Sequence, residues 1–305
     1  MMMLFKEIPI WETFAVVREI TEGMSGERKY YIESKDNKKY LLRVADVSNY
    51  ETKKKDYDLL LQLNKANLPV PLVIDFGKCE DGKSVYTLLS WVEGNDAEKI
   101  VPGLSEEKQY AIGYESGRIL RQIHLNAPLN AVKEDWYDRY FEVIIPRIGA
   151  YQNEGIPFEG AKEIIDFIND NKELLHNRPQ CRLHGDYHLG NLIINEKEEL
   201  SVIDWHTVDF EDGGDPWYDF TRIGIDYPAY TSGQLDGYFD NNIPENFWRM
   251  LAIYLSASAI TSIVWAKYFA PEELEGIMKL NHNVVKWYDK MKSVVPTWYR
   301  EYKNL

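Results

Sequence analysis

The sequence predicts an α+β chain of two lobes: a small antiparallel β-sheet with one main helix over residues 1–93, then a mostly helical lobe over 94–305. Three observations predict it. Short strand-like runs separated by polar turns fill the first part. Long amphipathic or apolar stretches of helical length fill the rest. Between them the polar run Glu93-Gly94-Asn95-Asp96 breaks the pattern as a hinge.

Element by element, Tyr30–Ser34 and Tyr40–Val44 flank the polar turn Lys35-Asp36-Asn37-Lys38-Lys39 and read as a hairpin. A charged run from Glu51 continues through Asp56–Leu63 as one amphipathic helix. Leu68-Pro69-Val70-Pro71 ends it, because proline lacks the amide donor and restricts the residue before it. Ser84–Trp91 is apolar and strand-like. Past residue 100, Ser105 is a suitable N-cap, with Glu106 and Glu107 favourably placed in the first turn of a helix to about Asn126. Gly160–Leu175 is amphipathic. Two short β-runs, Leu192–Ile194 and Leu200–Ile203, surround the exposed turn Asn195–Glu199. Two last helices, Pro244–Phe269 and Pro271–Ser293, each begin at a proline. Within the first of these, Met250–Ala266 is uncharged over seventeen residues but carries Tyr254, Ser256, Ser258, Thr261 and Ser262. A membrane span needs about 20 strongly apolar residues, so a buried core helix is expected, with no membrane partner.

At 305 residues, 45% hydrophobic and 28% charged, the chain is expected to be a soluble globular protein of one large or two medium domains. A formal net charge of −14 argues against coating nucleic acid, which needs a basic footprint. The same charge attracts a cationic co-substrate over long range. Cys79 and Cys181 are the only cysteines. They imply neither a disulfide framework nor a zinc knuckle, and they suit a reducing, cytoplasmic compartment. The start, Met1-Met2-Met3-Leu4-Phe5-Lys6-Glu7, lacks the basic-then-apolar order of a signal peptide.

The run that carries chemistry is His184-Gly185-Asp186-Tyr187-His188-Leu189-Gly190-Asn191, followed by Val202-Ile203-Asp204-Trp205. Asp186 and Asn191 are five residues apart, and Asp204 is eighteen beyond Asp186. The spacing resembles the H-R-D-x-x-x-x-N loop and downstream metal aspartate of protein kinases. In that reading Asp186 orients an acceptor hydroxyl and takes its proton. Asn191 and Asp204 present hard oxygens to Mg²⁺. A free carboxylate pKa near ~4 is compatible, since proton transfer can come late in a loose transition state. A second reading treats His184, Asp186 and His188, which alternate, with His206 as transition-metal ligands of a hydrolase. It lacks the His-Glu-x-x-His and Cys-x-x-Cys spacings and leaves Asn191 and Asp204 unexplained.

His-Gly-Asp-x-x-x-x-Asn with Ile-Asp-Trp is similar to the aminoglycoside phosphotransferase and choline kinase-like family. Leu68-Pro69-Val70-Pro71, Gly117–His124 and Gly214-Asp215-Pro216-Trp217-Tyr218-Asp219-Phe220 match further segments of that family in order, from about residue 20 to 222. The resemblance implies a protein-kinase-like fold, Mg²⁺, and ATP or GTP as donor of a phosphoryl group to a hydroxyl. It implies that the turn Thr21–Arg28, with Gly23 and Gly26, meets phosphates, Ser25 being the favoured hydroxyl. It places Arg43 where the family has a strand lysine, and Asp56 where a helix glutamate pairs with it, Glu51 being the fallback partner. Backbone groups of Ser90 and Val92 would bond the purine. His184 would brace the catalytic loop and His188 line it. Asp215 and Asp219 would cap a helix and brace the loop. The acidic and aromatic residues after Asp204, among them Asp209, Glu211, Asp212 and Trp217, suit an aminoglycoside-like or amino-alcohol acceptor through ion pairing and cation–π contact. A nucleotide-binding pseudokinase scaffold is the reading from a different class.

Overall fold

Alternating apolar residues in the first hundred positions pair into one antiparallel sheet. The computed structural model describes residues 5–21, 26–127, 129, 134–205, 210, 213–223 and 227–302. Five strands, β1 (Phe14–Ile20), β2 (Arg28–Ser34), β3 (Lys39–Asp46), β4 (Val73–Cys79) and β5 (Ser84–Ser90), lie in the order β1-β2-β3-β5-β4. The register aligns Tyr30, Leu42 and Leu88 in one row across three strands, and all three are buried with Ile32, Val44 and Tyr86. Phe5, Ile8 and Phe14 join the same core. Because side chains alternate, Lys29, Arg43 and Thr87 form the matching row on the other face.

Helix α1 (Tyr50–Lys65) follows β3 and buries Leu59, Leu60 and Leu63. It stops where the prolines require: Asn67 takes a left-handed φ of 55° just before Leu68-Pro69. Beyond β5 the chain adds a short strand β6 (Asn95–Asp96), a single turn α2 (Ala97–Ile100) and the hairpin β7 (Leu192–Ile194) and β8 (Leu200–Val202).

The chain divides into two units, Met1–Ile100 with Gly190–Asp204 and Val101–Leu189 with Trp205–Leu305. The expected 93/94 boundary set the whole hairpin with the helical lobe, whereas in this division it groups with the first unit. The reason is pairing that composition hides: Asn95 and Asp96 look like a loop but hydrogen-bond as β6 against Ile194 and Ile193. The Val202 amide also donates to the Pro69 carbonyl at 2.8 Å. Gly94 permits the approach, since a Cβ there would lie 2.4 Å from the Ile194 carbonyl oxygen and its φ is +139°.

The second unit holds α3 (Glu106–Asn126), α4 (Trp136–Glu154), α5 (Ala161–Asn171), α6 (Pro228–Phe239), α7 (Glu245–Phe269) and α8 (Leu274–Trp287). Ser105 caps α3 as expected, and Asp135 caps α4 by accepting from the Tyr137 amide. Helix α7 is long and apolar enough to cross a membrane by length and composition, yet most of its apolar stretch is buried inside this unit. Cys79 and Cys181 are buried and free.

Helix α6 was not foreseeable as a helix. It contains Thr231, Ser232, Gly233 and Gly237 and is buried from Ala229 to Tyr238, so it shows no polar face. Two glycine pairs at helical spacing, Gly113/Gly117 on α3 and Gly233/Gly237 on α6, let the two backbones touch. A Cβ on Gly113 would meet the Tyr230 carbonyl oxygen at 2.0 Å, and one on Gly237 would meet that of Tyr114 at 1.9 Å. Ser116, Tyr230 and Gln234 satisfy one another across this contact. Gly117→Ala, whose Cβ would lie 1.9 Å from the Gln234 oxygen, must push the helices apart. It should destabilise by at least the ~1–3 kcal/mol of an overpacked core, read as a lower melting temperature by circular dichroism. Gly276→Ala on α8, with open space around it, is the control and should leave the melting temperature unchanged or raised.

Candidate active site

In the second unit the loop beginning at His184 has no strand or helix ladder to absorb its amides, so side chains must do so. Asp219, buried in the 3-10 helix Pro216–Arg222, accepts from the His184 amide at 2.8 Å and the Gly185 amide at 2.7 Å. His124 Nε2 lies 2.9 Å from the same carboxylate, and His124 Nδ1 lies 2.9 Å from the Tyr238 hydroxyl. A carboxylate only accepts, so Nε2 carries the proton toward Asp219. His184 is fully buried, packs against Trp205, and takes the Asp186 amide on Nδ1 at 3.3 Å. The Tyr187 hydroxyl donates to the Ser116 carbonyl at 2.8 Å. Asp219 and His184 thus hold three successive backbone amides, those of His184, Gly185 and Asp186.

The Asp186 carboxylate, partly exposed, has His188 Nε2 3.3 Å from one oxygen and Arg222 Nε 3.3 Å from the other. Burial pushes its pKa up, but the His188 hydrogen bond and the charges of His188 and Arg222 outweigh this and hold it below the usual carboxylate range. Arg222 escaped the sequence reading. Its available signal was the three-residue spacing from Asp219, which sets both residues on one turn of the same anchored segment.

Asp215 is a structural carboxylate. It accepts from Arg178 at 2.7 and 3.1 Å, from the Trp217 amide at 3.0 Å and from the Tyr254 hydroxyl at 2.7 Å. Trp217, expected to meet the acceptor, is instead part of this packing. The Arg178 guanidinium lies 3.8 Å over its ring, and Phe239 and Phe247 meet it edge-on. The aromatic face that would have met a ligand cation already holds an internal one. Asp209, Glu211 and Asp212 lie outside the described residues, as does Ser25.

In the first unit the hairpin returns as expected: the Ile203 amide donates to the Asn191 carbonyl at 2.9 Å, so Asp204 follows one residue beyond. Asn191 is buried. Asp204 has φ of 57°, a left-handed conformation uncommon for a residue with a side chain. Its carboxylate receives Arg43 Nη1 at 2.8 Å. Burial raises the Asp204 pKa, but the Arg43 charge and hydrogen bond, aided by Lys29, bring it below the ordinary value.

The expected Arg43–Asp56 pair, with Glu51 as fallback, is not the one that forms. Arg43 Nε donates to Glu27 at 2.6 Å, while Asp56 lies 3.5 Å from Lys53, which itself pairs with Glu27. Glu27 precedes β2 at the diagonal position to Arg43 on the same sheet face, within reach of a long side chain. Burial favours a protonated Glu27, but Arg43 and Lys53 overcome it and lower its pKa to about 2. Glu27 too was missed, because a charged residue beside a glycine turn reads as solvated surface. The Ser90 amide donates to the Leu72 carbonyl at 2.8 Å. Val92 follows β5 in irregular backbone. Asn191 and Asp204 are oxygen-bearing side chains, one neutral and one anionic, of the kind that could hold a hard cation. Among the described residues no three His, Cys, Asp or Glu side chains gather as a metal cluster.

Residues 16–251 match the model of the APH phosphotransferase enzyme family. No curated protein matches the sequence. Among solved structures, a thermostable mutant of aminoglycoside phosphotransferase APH(4)-Ia is similar with a TM-score of 0.62 at 17% identity, over 92% of this chain and 97% of that one. The APH(2")-IIa ternary complex with streptomycin and ATP gives 0.61 at 18% identity, over 88% and 91%. Amicoumacin kinase hAmiN, in complex with AMP-PNP, Ca²⁺ and Ami, gives 0.57 at 14% identity, over 96% and 92%. At such identities the likeness is one of fold: α+β, two-lobed and protein-kinase-like.

The Glu27 carboxylate predicts an acid-sensitive stability. Its pKa falls from 4.5 to about 2 on folding, so its contribution is fully present above about pH 4.5 and is lost as pH drops toward 2. At about 1.4 kcal/mol per unit this amounts to at most about 4 kcal/mol. Urea midpoints at pH 5.5 and 3 (about) should differ less in Glu27→Gln than in wild type; equal differences would contradict the pairing.

Proposed function

We propose that this chain, which belongs to the phosphotransferase enzyme family, transfers the γ-phosphoryl group of ATP or GTP to a hydroxyl of an aminoglycoside-like or amino-alcohol acceptor, with Mg²⁺. One observation carries the reading: the Asp186 carboxylate is kept ionised on a loop whose amides at His184, Gly185 and Asp186 are all taken by side chains.

Phosphoryl transfer asks for positioning and charge neutralisation more than for covalent chemistry. Asp186 accepts a hydrogen bond from the acceptor hydroxyl and orients its oxygen. That oxygen forms the new bond to the γ-phosphorus as the bond to the β–γ bridging oxygen breaks. The hydroxyl proton passes to Asp186 late, and the nucleoside diphosphate leaves. A carboxylate held below its usual pKa is a weak base but is always ready, which suits a late transfer. Asn191 and Asp204 would hold Mg²⁺, whose charge neutralises the phosphate oxygens. Arg43, bonded to Asp204, brings a guanidinium suited to bidentate phosphate contact.

A cationic acceptor is supported by the net charge of −14 and by the aminoglycosides bound or named in proteins of the same fold. Trp217 no longer contributes to that argument. Two free cysteines suit a cytoplasmic location. The scaffold reading draws on one observation, that Arg43 ties up the metal-binding Asp204.

Purified protein with Mg²⁺, ATP or GTP and a panel of amino-alcohols and aminoglycosides should yield a product heavier by about 80 daltons, the HPO₃ of phosphoryl transfer. Asp186→Asn should lower kcat by about 10²- to 10⁴-fold. Tight nucleotide binding with no turnover on any acceptor would favour the scaffold.

A further inference from the structure

We propose that Glu27 is the positioning residue of the phosphoryl-donor side, holding Arg43 and Lys53 together as a two-cation cradle for the donor's phosphates. The inference rests on the reading of Arg43 and Asp204 as donor-side groups.

Glu27 directly follows Gly26 and precedes β2, and its side chain is only 10% exposed. One carboxylate oxygen takes Arg43 Nε at 2.6 Å and the other takes Lys53 Nζ. Arg43 and Lys53 are each 16% exposed, whereas the Asp204 carboxylate at the far end of Arg43 is 40% exposed. The buried end of the network is therefore Glu27, and the open end is the Arg43 Nη group with Asp204. A guanidinium anchored through Nε keeps its plane while its Nη end exchanges partners. Once Asp204 turns its charge to a metal, that end is oriented for a phosphate, with Glu27 still in place.

Lys53 supports the same assignment from the helix side. It sits in the first turn of α1 within the run Lys53-Lys54-Lys55, where the helix dipole disfavours cations. Lys54 and Lys53 differ in fate: Lys54 pairs with Asp58 along the exposed helix face, while Lys53 turns inward to Glu27 and Asp56. A cation placed against the dipole, desolvated and pinned beside Arg43 is the kind of local cost found where charge must be presented to a ligand. Two buried cations against the single carboxylate they share leave positive charge to be matched. Asp56 and Asp204 match it within the protein, and a polyphosphate would match it in their stead.

The test titrates wild type, Glu27→Gln, Glu27→Asp and Lys53→Met with fluorescent N-methylanthraniloyl (mant) ATP, ADP and adenosine in Mg²⁺, with melting temperatures alongside. Glu27→Gln should weaken mant-ATP binding by about 10- to 100-fold, the range for losing a charged hydrogen-bond partner. The loss should shrink for mant-ADP and vanish for mant-adenosine, a gradation that a merely structural role would not produce. Glu27→Asp should restore part of the affinity, and Lys53→Met should weaken mant-ATP several-fold. If Glu27→Gln does not fold, Lys53→Met, which leaves the Glu27–Arg43 bond intact, carries the test. Wild type that binds while folded Glu27→Gln or Lys53→Met binds equally well overturns this assignment alone. Wild type that fails to bind mant-ATP overturns the donor-side reading with it.

Discussion

Asp219 is the constraint on which the loop bearing Asp186 depends. Two adjacent amides, that of buried His184 and that of half-buried Gly185, would otherwise be orphan donors, the buried one costing about 1–3 kcal/mol. By accepting both, together with His124 from α3, one carboxylate fixes the backbone that presents Asp186. The segment bearing Asp219 is itself immobilised by Asp215, which joins Arg178 and Tyr254 of α7. From its last residue Arg222 reaches the Asp186 carboxylate. Loop backbone and neighbouring charge are therefore set by a single short 3-10 helix, tied in turn to α3, α6 and α7.

Each unit solves the same electrostatic problem separately. A partly buried carboxylate tends to take up a proton, and nearby hydrogen-bond donors and charges keep it ionised. His188 and Arg222 do this for Asp186, and Arg43 does it for Asp204, while Glu27 is held by Arg43 and Lys53. The pairing of Arg43 departs from the one that the family resemblance implied. The anchor of Arg43 is Glu27, just before β2, while Asp56 of α1 meets Lys53. The left-handed φ of Asp204 is a second local cost in the same network, and such costs persist where surrounding structure over-determines them.

Much of this was legible in the residues. The signature from His184 to Asn191 and the downstream Asp204 stand out because chemistry constrains identity and spacing there. The proline-ended α1 and the hairpin β7–β8 follow from local rules. What stayed hidden is tertiary. Helix α6 is buried on all sides, so it has no amphipathic period to detect. Strand β6 is two polar residues whose only mark is a partner a hundred positions away. Glu27 and Arg222 look like surface charges until register and a shared turn bring them to Arg43 and Asp186. Trp217 erred the other way, an aromatic in an acidic stretch whose face is already taken by Arg178.

The central claim is a division of labour, Asp186 acting on the acceptor and Asp204 on the metal and donor. Calorimetric titration of Mg·AMP-PNP into Asp186→Asn and Asp204→Asn tests it without any knowledge of the acceptor. The account predicts that Asp186→Asn binds within about twofold of wild type, since a group that acts only in the transfer step adds nothing to donor binding. It predicts that Asp204→Asn loses the Mg²⁺-dependent part of the affinity. Abolished binding in Asp186→Asn with unchanged binding in Asp204→Asn would contradict it.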